Sequence, residues 1–174
     1  IYPNAGYADE IEPFADQKRA RGYAVTEMRV TEIGGTCEEI RAAIQAWELL
    51  IPIWRDAYAL LVGDTDVIPL CTSPTGDPTD DLYASTNGDD QDEEIFLGRL
   101  SVNNETDLEN QIQKILAYED NPSLFCCYNE VGLWAHKEGA PGKYEGAHET
   151  VRTNTYTVPP SFTTYYGSQA GVGD

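Results

Sequence analysis

Basic residues are scarce in this chain, and their scarcity excludes more than any other feature. Eleven Lys and Arg stand against 30 Asp and Glu, a formal charge of -19, and neutralising a phosphate backbone needs clustered cations that are not there. Nucleic acid is therefore excluded as a partner. No apolar run approaches the ~18 consecutive residues of a membrane-spanning helix, so no membrane span is expected. Histidine occurs only at His136 and His148, twelve residues apart and without an H-E-x-x-H pattern, which makes a weak zinc site. Cysteine is limited to Cys37, Cys71, Cys126 and Cys127. The last two are adjacent and seldom pair with each other, the first two have no C-x-x-C spacing, and all four are read as structural or incidental thiols rather than a disulfide framework. The chain begins Ile1-Tyr2-Pro3 without a basic or apolar leader, and both ends read as cut from something longer.

What is present is the pattern of an α/β domain. Ile11, Phe14 and Ala15 follow a helical period between Tyr7 and Arg21, with Gly22 as a stop. Tyr23 to Val30 alternates as a strand does. Thr36 and Glu39 form a capping box ahead of Ile40, Ala43, Ile44, Trp47 and Ile51, and Pro52 ends that helix. Ala57 to Val62 is a continuous apolar run, the mark of a strand buried on both faces of a parallel sheet. Residues 71 to 92 are rich in Asp, Thr, Pro and Gly and predict a long surface excursion. A strand at Ile95 to Leu97 follows, then a helix capped at Asn104 to Asp107 with Leu108, Ile112, Ile115 and Leu116 on its buried face. Asn104-Glu105-Thr106 also fits a glycosylation acceptor, with the helix cap favoured. A strand from Glu130 to Ala135, a Gly-rich loop at Glu138 to Gly142, a helix near Tyr144 to Arg152 and a strand at Phe162 to Tyr166 complete the order. Helix alternating with strand predicts an α/β fold with a mostly parallel sheet.

The most informative stretch is Tyr58-Ala-Leu-Leu-Val-Gly-Asp-Thr-Asp-Val-Ile-Pro69, with "TDDLYASTNGDD", "EEIFLGRLSV", "TDLENQIQKILAYE" and "HKEGAPGKYEGAHETV" after it. In that order these segments resemble the first half of the catalytic module of the gingipain-like cysteine peptidases, family C25 of clan CD. The resemblance covers nearly the whole chain. It implies a caspase-like, flavodoxin-like three-layer sandwich that is incomplete here: one α/β domain over 1–174, with an N-terminal subdomain to about 122 and a second beginning near 128. It further implies a secreted or cell-surface endopeptidase acting on polypeptides, stabilised by calcium and using a Cys nucleophile with a His base.

The family's Gly-His-Gly and strand-ending Ala-Cys do not occur in the sequence. The dyad is therefore expected beyond Asp174, in the missing C-terminal half or in a second chain, and these residues alone should be inactive. The alternative is a non-catalytic, calcium-stabilised surface or interaction module derived from the same fold. Glu138 aligns with the acid proposed to orient the catalytic histidine, or else caps a helix or sits in water. Glu145 lies near the acid at the base of the S1 pocket in arginine-specific members, or is a solvated helix residue. Asp64 and Asp66 follow a buried strand, where open α/β sheets place their clefts, although Asp64 equally fits a turn cap. Asp77, Asp80, Asp81, Asp89, Asp90, Asp92, Glu93 and Glu94 crowd carboxylates into one turn-rich region, a candidate calcium site or a solvated acidic loop. EF-hand spacing is not met, since Gly88 as the sixth position would put Tyr83 at the first.

Overall fold

Two compact units, 1–122 and 123–174, divide the chain. The computed structural model describes residues 1–52, 54–87, 92–122, 129–137, 143–154 and 160–168. In the first unit the parallel pair β1 (Tyr58–Val62) and β4 (Phe96–Leu100) forms the centre, in the register Ala59 to Leu97 and Leu61 to Arg99. Ile1 extends this pair on the other side of β1. Its nitrogen donates to the Leu60 carbonyl at 2.8 Å, and Val62 N–H donates to the Ile1 carbonyl at 2.8 Å. Tyr2 in turn bridges Arg29 in parallel.

Strand alternation distributes β1 between two cores. Leu61 and Ala59 face Ile40 and Ile44 of α3 (Cys37–Glu48) and Leu82, Tyr83 and Ala84 of α4 (Asp81–Ala84). Val62 and Leu60 face Ile11 of α1 (Ala8–Ala20) and Leu108 and Ile112 of α5 (Glu105–Asp120). A continuous apolar strand is required because both faces are covered, and the result is helix, sheet, helix. The two outer helices of the second core are tied at their far ends, where Lys18 Nζ meets the Glu119 carboxylate at 2.6 Å and Arg21 reaches Asp120 at 3.1 Å.

Helix starts follow the expected chemistry. Thr36 Oγ1 accepts from Glu39 N–H at 3.2 Å while the Glu39 carboxylate accepts from Thr36 N–H at 3.0 Å, a complete capping box. Gly34 (φ 104°) brings the backbone so close to the Glu39 side chain that a Cβ would collide with it. Asn104 caps α5 by accepting from Asp107 N–H at 2.9 Å, and its amide nitrogen donates to the Asp107 carboxylate at 2.8 Å. The amide that glycosylation would need is thus engaged in the cap.

Three expectations require correction. The segment Tyr23 to Val30 does not form a strand; it pairs with Tyr2 only through Met28 and Val30, and α2 (Val30–Ile33) follows at once. A sheet edge with a single bridging neighbour supplies too few ladder bonds to hold an extended run. The excursion at 71 to 92 is not wholly superficial. It contains the hairpin of β2 (Cys71–Thr72) and β3 (Pro78–Thr79), and then α4, whose Leu82, Tyr83 and Ala84 are all buried. Three consecutive buried residues in a Gly- and Asp-rich stretch carry no periodic signal, so polarity concealed them. Finally, Cys37 and Cys71 are not free thiols but a disulfide, with Cα atoms 5.3 Å apart and the two cysteines 34 positions apart in sequence. A loop of that size is worth about 3–4 kcal/mol against the unfolded chain. Their pairing arises where the start of α3 meets β2, a contact between elements that spacing does not reveal.

The second unit repeats the motif at smaller scale. β5 (Glu130–Ala135) and β6 (Ser161–Tyr166) run parallel, with Leu133 paired to Thr164, and α6 (Tyr144–Asn154) crosses between them in the chain. On the exposed side, the rings of the register partners Trp134 and Tyr165 stack at 4.8 Å.

Candidate functional site at the carboxyl ends of the strands

In open α/β sheets the functional loops follow the carboxyl ends of the strands, because there the chain leaves the sheet with backbone groups still to satisfy. Past β1 the ladder persists for two residues: Gly63 N–H donates to the Leu100 carbonyl at 2.9 Å and Asp64 N–H to the Val102 carbonyl at 3.1 Å. Gly63 then turns the chain with φ 139°, a conformation that a side chain would strain. The Asp64 carbonyl accepts from Val67 and Ile68 N–H, and its carboxylate accepts from Thr65 N–H at 2.7 Å and from Ser101 Oγ at 3.3 Å. That is the geometry of a turn cap. Asp66 is exposed at the tip.

Arg99, on β4 opposite Leu61, organises this end. Its Nε and Nη2 donate to the two carboxylate oxygens of Asp80 at 2.7 and 2.6 Å, and Nη1 donates to the Gly63 and Ile68 carbonyls at 2.8 and 3.0 Å. Only 11% of the Arg99 side chain and 26% of the Asp80 side chain is exposed. The bidentate bond to Asp80 pushes the guanidinium pKa still higher, so the cation is permanent. One side chain thereby joins the turn after β1, the segment before α4 and β4 itself. Arg99 lies in the segment EEIFLGRLSV, where the sequence alone assigns it no role. The available signal was an Arg inside an apolar strand, which must find a buried acid. Tyr83 completes this core, buried, donating to the Pro69 carbonyl at 2.6 Å.

The acidic region does not converge among the described residues. Both Asp80 oxygens are committed to Arg99; Asp77 accepts from Thr75 Oγ1 at 2.8 Å; Asp81 is exposed at the start of α4; and Asp92 and Glu93 are exposed. Glu94 accepts from Thr86 and Asn87 N–H at 2.6 and 3.1 Å. Among the described residues no three such groups could hold a metal ion. The described carboxylates therefore do not fit a calcium cage, which needs ~6 to 8 oxygens. Asp89 and Asp90 lie outside the described residues.

In the second unit, Glu145 and Glu149 share one face of α6. Glu145 accepts from Ser168 N–H at 2.9 Å and from Ser168 Oγ at 2.7 Å. Glu149 accepts from Tyr166 Oη at 3.0 Å and from Arg152 at 2.6 Å; the arginine holds its carboxyl below the usual range, while burial and then Glu149 push the Tyr166 phenol up. His148 lies 6.2 Å from the Tyr166 ring, centroid to centroid. His136 is exposed beyond β5. Glu138, Cys126 and Cys127 lie outside the described residues.

The sequence model of peptidase family C25 matches residues 1–172. The chain belongs to that family. Among C25 proteins it is 30% identical to gingipain R2 of Porphyromonas gingivalis over 164 residues, which are 87% of this chain and 21% of that protein. Gingipain R1 of the same organism is also 30% identical over 164 residues, 16% of its length. The chain thus spans about a fifth, or less, of these relatives. Its fold matches the solved complex of Porphyromonas gingivalis RgpB pro- and mature domains with a TM-score of 0.77 and 29% identity, over 95% of this chain and 41% of that one. It matches the Arg specific cysteine proteinase gingipain R (RGPB) with a TM-score of 0.74 and 27% identity, covering 95% and 40%. The C25 chain therefore has the caspase-like α/β fold, and the small size of its sheets accords with a partial domain.

Proposed function

We propose that this chain is the N-terminal part of the catalytic region of a gingipain-like cysteine endopeptidase. The observation that carries the reading is the C25 match over residues 1–172 together with a fold match spanning only 41% of the solved gingipain chain. The nucleophile and base are then supplied by sequence that this chain does not contain. A cysteine thiolate attacks the scissile carbonyl, a histidine protonates the leaving amine, and water hydrolyses the thioacyl-enzyme. Glu138 would accept from one imidazole nitrogen of that histidine and fix its tautomer, leaving the other nitrogen to move the proton. The relative's description as Arg specific supports a basic P1 side chain. Glu145 is then the acid to test, although its two oxygens are held by Ser168 in this structure.

Calcium enters the reading through the resemblance and the acidic composition of the 77–94 segment, not through any cluster of its described carboxylates. A location outside the cytosol is supported by the Cys37–Cys71 disulfide, since reducing compartments keep such pairs open.

The deciding experiment is cleavage by the protein extended through its natural sequence past Asp174. Fluorogenic peptides with Arg, Lys or Ala at P1 should be cleaved in the presence of a thiol and spared after iodoacetamide, with Glu145→Gln raising KM for the basic substrates. An extended, folded protein that cleaves none of them overturns the peptidase in favour of a non-catalytic module.

A further inference from the structure

The two halves of the Cys37–Cys71 disulfide occupy unlike surroundings. Cys37 is the first residue of α3, half-buried, and lines an open groove with Thr36, Glu38, Arg41, Pro69 and Thr72. Cys71 is 1% exposed and belongs to the core of Ile40, Ile44, Leu61, Ile68 and Tyr83. Reduction requires a thiolate to attack one sulfur and expel the other as a thiolate. Of the two cysteines it is Cys37 that lines the groove, so attack from there falls on Cys37 and the expelled group is Cys71. Its charge would then be deposited in apolar surroundings, where an anion is poorly solvated, and its departure is slowed. The opposite polarity expels Cys37 into the favourable field of the α3 N-terminus, but the reductant must then reach Cys71 through the packed core. The carboxylates of Glu38 and Glu39 beside Cys37 also repel an anionic reductant. Each route is blocked at one of its two requirements.

We infer that the Cys37–Cys71 disulfide is shielded from thiol reduction while the chain is folded. The value of that shielding rests on the peptidase reading. A cysteine nucleophile acts only as a free thiolate, so the enzyme must work beside reductants that would open an ordinary exposed disulfide. A shielded bond lets the scaffold stay oxidised while the nucleophile stays reduced. The chemistry balances with a dithiol. Its first thiolate forms a mixed disulfide on Cys37 and releases the Cys71 thiolate; its second closes a cyclic disulfide and releases Cys37, and both cysteines take protons from water.

The test incubates the folded protein with dithiothreitol at pH 8, alkylates samples over time with iodoacetamide, and measures the Cys37 and Cys71 peptides by mass spectrometry. Peptide resolution separates them from Cys126 and Cys127. A parallel series runs in urea above the unfolding midpoint. Labelling of Cys37 and Cys71 should be at least about 100-fold slower in the folded protein than in urea, as expected when access requires opening. A smaller difference overturns the inference. Thiols are read rather than cleavage, so this result stands or falls separately from the peptidase reading.

Discussion

Arg99 and Tyr83 show how much one buried polar group can specify. Arg99 sits inside a strand because four of its donors have acceptors already in place, two on Asp80 and one each on Gly63 and Ile68. Replacing it with Met leaves the Asp80 carboxylate without its partner at 26% side-chain exposure, and should cost about 3 kcal/mol or more in urea unfolding. Lys should rescue little, since an ammonium cannot reproduce the fork. Tyr83 supplies a pH dependence. Burial pushes its phenol pKa up to about 12 from the ordinary 10.0. The folded state then keeps a proton that the unfolded chain releases, so the contribution is complete below pH 10 and is lost as pH rises toward 12, about 2–3 kcal/mol in all. Tyr83→Phe should flatten that loss between pH 10 and 12 in denaturant titrations, while costing about 1 kcal/mol at neutral pH through the Pro69 bond. An unchanged alkaline slope would assign the loss to other groups.

Elements were legible in proportion to their local chemistry. The capping box at Thr36 and the cap at Asn104 lie within four residues of the groups they satisfy, and both helices begin where those residues predict. Thr36→Ala should lower stability by about 1 kcal/mol by thermal or urea melting. No change would mean that the disulfide at Cys37 holds the helix start unaided. The strand expected at Tyr23 to Val30 failed for the opposite reason. Its residues are β-forming, but a strand needs paired neighbours along its length, and among the described residues Tyr2 is the one that bridges its backbone. α4 was hidden in a stretch whose composition is that of a loop, because its burial comes from β1 and α3, far away in sequence.

The charge of the whole chain, -19, sets its response to ions. Self-repulsion at that charge should make the melting temperature rise with sodium chloride over the range in which the Debye length shrinks from ~30 to ~8 Å. A structural calcium ion would behave differently, binding only the folded chain and raising its stability at low concentration. With salt held at physiological strength, removing calcium with a chelator should lower the midpoint if the ion is bound. An unchanged midpoint would assign the acidity to solvation alone.

Composition, order and spacing by themselves determined that the protein is an acidic α/β domain, the place of its two long capped helices, the strands expected at Ala57 to Val62 and Glu130 to Ala135, and its resemblance to the C25 peptidases. These are local or additive properties: periodicity, capping and charge are carried by neighbours along the chain. Tertiary structure alone decided that Cys37 meets Cys71, that Asp80 belongs to Arg99, and that the Gly63 turn is held from β4. Each joins residues 19 or more positions apart. Such contacts depend on how two elements pack, and packing is a property of the assembled core that no single segment records.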